Sequence, residues 1–140
     1  MKKRLLYLIL PIITLVLEIL PYGAVCNFGN PEGEAWRATF SYFDLTPFGY
    51  ANFAPLITAI LTCIILILLA VYFITKKSGF ATASRNITLA CAIVSITPLL
   101  IGINYFSVVG ALITVSLLAE FLLLLLNVKK PHSIDCPIDQ

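Results

Sequence analysis

The sequence predicts an all-α, polytopic membrane protein: four transmembrane helices with both termini on the cytoplasmic side, and a short interfacial helix in the outer loop between the first two. Three observations predict it. Hydrophobic residues fill 60% of the 140 positions and charged residues only 11%, a composition far from that of a soluble domain. Four apolar runs, Leu5 to Leu20, Leu56 to Ile74, Ile87 to Ile103 and Val108 to Val128, approach or reach the roughly 20 residues a helix needs to cross the hydrocarbon core. Of the nine basic residues, Lys2, Lys3, Arg4, Lys76, Lys77, Arg85, Lys129 and Lys130 fall on one side of that arrangement and only Arg37 on the other. The positive-inside rule makes the basic side cytoplasmic. A multi-pass protein of the cell membrane follows. A net charge of +2 is too mild to suggest a nucleic-acid partner.

In lipid each spanning segment must satisfy its own backbone, so the runs read as helices. The expected layout is one domain: a first helix over about 5–25, an outer aromatic loop over 26–54, a second helix over about 55–75, a basic cytoplasmic loop over 76–86, helices over about 87–104 and 108–128, and a tail over 129–140. The first run also has the basic start and apolar stretch of a secretory signal. Val25 and Gly23 stand where a lipoprotein signal would place a small residue and a leucine ahead of Cys26, and Glu18 interrupts the apolar stretch. A retained helix is the expectation.

Nine of the sixteen aromatic residues lie between Tyr22 and Phe53, in the outer loop and the end of the first helix that leads into it. Rings with polar tips favour the headgroup level. Asn30, Pro31, Glu32 and Glu34 carry a helix-start signature of cap, proline and acids, so a helix is expected from Pro31 to about Phe43, with Trp36, Phe40 and Phe43 on one apolar face. Pro47 and Gly49 mark a turn, and Asn52 is expected to cap the second helix. Trp36, Arg37, Phe40, Phe43 and Tyr50 are the candidate binding residues of this cap.

Little in the sequence supports catalysis. His132 is the single histidine and Cys26, Cys63, Cys91 and Cys136 are widely spaced, so neither a metal site nor a cofactor is expected. No nucleophile and base are set together in the outer segment, which argues against an enzyme. Asn86 heads an Asn-Ile-Thr triplet, but on the cytoplasmic side it reads as the cap of the third helix.

Glu18 and Glu120 are the two acids within apolar runs, where an ionisable group costs about 2.5 to 3.5 kcal/mol on insertion scales. Each has a hydroxyl one turn away, Thr14 and Ser116, and Thr88, Cys91 and Ser95 can add polar contacts. Counted from the helix ends, the acids differ in depth by about 8 Å, which argues against direct pairing. They are either protonated structural donors or proton or cation ligands. Small residues four apart, such as Thr58 and Thr62 or Gly110 and Thr114, fit close helix contacts within a bundle or a homo-oligomer.

In size and in its first-helix Glu18 the chain looks like the small multidrug transporters. The resemblance covers Glu18 alone, because those proteins have short loops and their dual-topology members lack a strong basic bias. The sequence therefore leads to a non-enzymatic membrane protein whose outer aromatic cap binds a lipid headgroup, a hydrophobic peptide or a membrane-protein partner. The alternative is a small proton- or cation-coupled transporter or permeation pathway using Glu18 and Glu120.

Overall fold

The structure, a computed structural model, describes residues 2–29, 33–34, 36–50 and 52–128, with side chains from residue 7 to residue 126. Helix α1 (Lys2–Ile19) leads into a hairpin of strands β1 (Ala24–Phe28) and β2 (Trp36–Phe40), and a short helix α2 (Leu45–Gly49) follows. Helices α3 (Ala54–Thr75), α4 (Ser78–Ile101) and α5 (Val108–Val128) complete the chain, with a 3-10 turn at Ile103–Tyr105. Helices α3, α4 and α5 are each long and apolar enough to cross a membrane.

The helices form a ring in which α1 and α4 each pack between α3 and α5. Side-chain placement is the reverse of a soluble bundle. Ile12, Val16, Ile60, Ile67, Ile93, Leu100, Val115 and Leu122 are exposed, whereas Thr14, Glu18, Thr58, Thr62, Ser84, Thr88, Ser95 and Glu120 are buried. A lipid surround favours this distribution, because tails solvate aliphatic side chains as well as a core does and helix contacts then rest on small and polar residues. Ile65, Leu69, Ile113, Leu117 and Leu124 are the large apolar side chains that remain inside.

Strand β1 pairs antiparallel with β2, Ala24 opposite Phe40 and Phe28 opposite Trp36. The hairpin closes one end of the ring, here the hairpin end. It also satisfies backbone groups that helix ends leave open: the Tyr42 N–H donates to the Glu18 carbonyl at 2.9 Å, and Gly23 N–H to the Phe40 carbonyl at 3.1 Å. Ser107 performs two tasks immediately before α5. Its hydroxyl accepts from the Gly110 N–H at 2.8 Å, an N-cap bond, and donates to the Gly23 carbonyl at 2.6 Å. Asp44 caps α2 by accepting from the Thr46 N–H at 2.8 Å. Hydrogen bonds from Thr46 hold its carboxyl below the usual value of 3.8.

Four expectations are corrected. No helix spans 31–43: among its described residues, Trp36–Phe40 is a strand, while Asn30, Pro31, Glu32 and Ala35 lie outside the described residues. The segment Trp-Arg-Ala-Thr-Phe alternates ring, polar, small, polar, ring, and its aromatic and β-branched residues suit a pleated surface. The first helix stops at Ile19 rather than near Val25, because Pro21 restricts Leu20 and the following residues pair with β2. Helix α4 starts at Ser78, so the basic loop shrinks to Lys76 and Lys77, and Asn86 sits inside the helix accepting from Arg85. Asn52 does not cap α3. Phe53 holds that position, and the Asn52 amide instead donates to the Val25 carbonyl at 3.2 Å.

Candidate functional site

Two groups of residues stand out, one on the cap and one within the ring. On the cap, pairing places Phe28 directly across from Trp36, and their rings stack with centroids 4.6 Å apart. Tyr50, delivered by the end of α2, meets Phe28 edge-on at 4.7 Å, and Phe40 approaches it at 6.4 Å. Trp36 is 58% exposed and Tyr50 64% exposed, so the cluster presents an open aromatic face with an indole N–H and a phenol at its edge. Phe48 and Phe53 form a second pair beside α3, at 4.8 Å.

The structure thus brings Trp36, Phe40 and Tyr50 together around Phe28. It does not bring Phe43 or Arg37 into that cluster. Phe43 lies beyond the end of β2. Arg37 lies on the other face of the strand, where its Nη2 donates to the Phe106 carbonyl at 3.0 Å. This bond and the Asn52 bond clasp the hairpin from two sides. Phe28 was missed by the sequence reading, although it ends an Ala-Val-Cys-Asn-Phe run whose length matches β2. Cys26 is buried, and that burial, with Asp44 contributing, raises its thiol above the ordinary 9.0. It is therefore shielded from water-borne thiol reagents.

Within the ring, a file of polar side chains runs along the axis. At the hairpin end the buried Tyr42 ring fills the mouth between Gly23 and Gly110. Burial, then the Glu18 carboxylate, push its phenol above the ordinary 10.0, and hydrogen bonding to Ser95 acts the other way. Ser95 of α4 and Thr114 of α5 bond at 2.7 Å. Glu18 Oε1 lies 2.7 Å from Thr62 Oγ1, and Cys91 Sγ lies 3.8 Å from the same hydroxyl. Thr14 and Ser116 bond at 2.7 Å, joining α1 to α5. Glu18 Oε2, both carboxyl oxygens of Glu120 and the Ser84 hydroxyl are buried without a partner.

Arg37 does not reach Glu18, and among the described residues no basic side chain bonds either acid. The described residues contain no group of three or more His, Cys, Asp and Glu side chains able to hold a metal ion. Their cysteines Cys26, Cys63 and Cys91 are free thiols. His132, Cys136, Lys129 and Lys130 lie outside the described residues. Compared with protein-family models, curated proteins and solved structures, the chain matches none.

Proposed function

We propose that the chain is a small, non-enzymatic integral protein of the cell membrane that crosses the bilayer four times, both termini cytoplasmic, and that its hairpin cap binds a membrane-borne ligand at the outer headgroup level. The open face of Phe28, Trp36 and Tyr50 carries this reading. Exposed aromatic rings with polar tips match the boundary between tails and headgroups, and a clasped hairpin holds them without the ordering cost of a loose loop. Lys76 and Lys77, at the opposite end of the ring from the hairpin, support the orientation by the positive-inside rule.

The ligand chemistry is an apolar portion that lies on the rings and a polar group that meets the Trp36 N–H and the Tyr50 hydroxyl. A lipid headgroup with its upper chain, a hydrophobic peptide and the flank of a membrane partner each meet it. Arg37, on the other face of the strand, supports the site by holding the hairpin to the Phe106 carbonyl. Purification in mild detergent followed by mass spectrometry of bound lipid and protein tests the reading. Wild type carries a stoichiometric ligand, and the double variant Trp36→Ala/Tyr50→Ala loses it by roughly tenfold or more, the scale of an aromatic anchor worth over about 1 kcal/mol. Equal retention by a folded variant, or no ligand on wild type, counts against the cap.

A further inference from the structure

The acids of the ring take no part in the cap, and their geometry is informative in its own right. Glu side chains on a helix lean toward its N-terminus. Because α1 and α5 run antiparallel, Glu18 leans away from the hairpin end and Glu120 toward it. The Thr14–Ser116 bond fixes the register: Thr14 precedes Glu18 by one turn and Ser116 precedes Glu120 by one turn. The two carboxyls therefore converge on one hydroxyl pair from opposite sides, from backbones roughly 12 Å apart along the axis.

We propose that Glu18 and Glu120, with Thr14 and Ser116 between them and Thr62 beside Glu18, form an enclosed site whose ligand is a proton exchanged with the surrounding water. Three observations converge on it. Three of the four carboxyl oxygens are buried and unpartnered, as they would not be in a closed structural network. No described Lys, Arg or His offsets a second negative charge, so a proton is the available neutralising ligand. The third observation is Thr62. Its hydroxyl has two acceptors in reach, Glu18 Oε1 at 2.7 Å and the Thr58 carbonyl at 3.1 Å. When Glu18 is ionised, Thr62 donates to it. When Glu18 is protonated, the acid donates to Thr62 and Thr62 donates to Thr58. One hydroxyl rotation serves both states.

The exchange makes and breaks one O–H bond: a carboxylate oxygen takes a proton from hydronium or water and returns it. The titratable groups nearest the acids are Cys91 on α4, 3.8 Å from the Thr62 hydroxyl, Cys63 on α3 and Tyr42 from the cap, and none of them is a base. Tyr7 on α1, Tyr72 on α3 and Arg85 on α4 lie further along the helices, and Arg85 bonds Asn86 on the surface. The site is independent of what the cap binds.

Infrared spectroscopy of the protein in proteoliposomes, titrated from about pH 5 to about pH 9, spans the range in which buried glutamates are documented to titrate. Wild type should show a protonated-carboxyl band that falls as pH rises, and Glu18→Gln and Glu120→Gln should each remove part of it. A band constant over the whole range, a band absent at the acid end, or a titration that neither substitution alters would overturn the proposal. If a glutamine variant fails to fold, a constant or absent wild-type band still overturns it. In that case conservative Glu→Asp variants assign the titration by shifting the band.

Discussion

Replacing Glu120 with leucine should stabilise the bundle by about 1 to 3 kcal/mol. A buried polar group left without partners carries a desolvation cost of about that size, and both Glu120 oxygens are in that position. Leucine has a similar volume, removes the carboxyl, and extends the apolar surface that Leu117 and Leu124 already present on α5. Exchange of buried ionisable groups for apolar ones of like volume is often stabilising. Reversible unfolding in mixed micelles reads the effect, and Glu120→Leu should unfold later than wild type. Destabilisation would show instead that the carboxyl is a hydrogen-bonded strut of the fold. A group that weakens the fold it sits in fits one kept for exchange, the usual conflict between stability and function.

Gly23→Ala should act in the opposite direction, by about 1 to 3 kcal/mol, the range for overpacking a filled interior. An added Cβ would sit 2.8 Å from Cδ1 and Cε1 of Tyr42, closer than carbon atoms approach. The ring has little room to retreat, because it is 2% exposed and its hydroxyl abuts Gly110 on the far side. Backbone conformation is not the cause, since Gly23 does not lie in the left-handed region that side chains avoid. The cost is therefore steric and should depend on Tyr42. In the double variant Gly23→Ala/Tyr42→Leu the two effects should fail to add by about 0.5 kcal/mol or more. Additive effects, or a neutral Gly23→Ala, would mean that Tyr42 does not fill the mouth of the ring.

Much of the helical architecture was legible because long apolar runs leave the backbone few alternatives in lipid. Helix α5 occupies Val108–Val128, the extent of its run. The start of α4 was not legible, since Ser78 to Asn86 is polar and small and reads as loop until α3 packs against it. The cap was misread for a definable reason. Trp36 and Phe40 are four residues apart, a spacing that shares a face on a helix and equally on a strand. The alternation of Arg37 and Thr39 was the discriminating signal, and its partner β1 straddles the expected boundary, with Ala24 and Val25 assigned to the first helix and Cys26 to Phe28 to the loop. Glu18 and Glu120 stood out by composition alone. Their convergence did not, because depth counted from run ends gives about 8 Å where the Thr14–Ser116 register gives roughly 12 Å. The reversible role of Thr62 depends on a contact between α1 and α3 that no local pattern encodes.

Trp36 is the only tryptophan in the chain, so its fluorescence reports on the cap without modification. The most direct measurement is quenching in proteoliposomes by lipids brominated at graded positions along the acyl chain, set against quenching by aqueous acrylamide. A cap whose aromatic face lies at the headgroup level predicts strong quenching by bromine near the glycerol end, weaker quenching by deep bromine, and partial protection from acrylamide. Full access to acrylamide with no response to any brominated lipid would contradict it, and would place Trp36 in open water away from any ligand borne by the membrane.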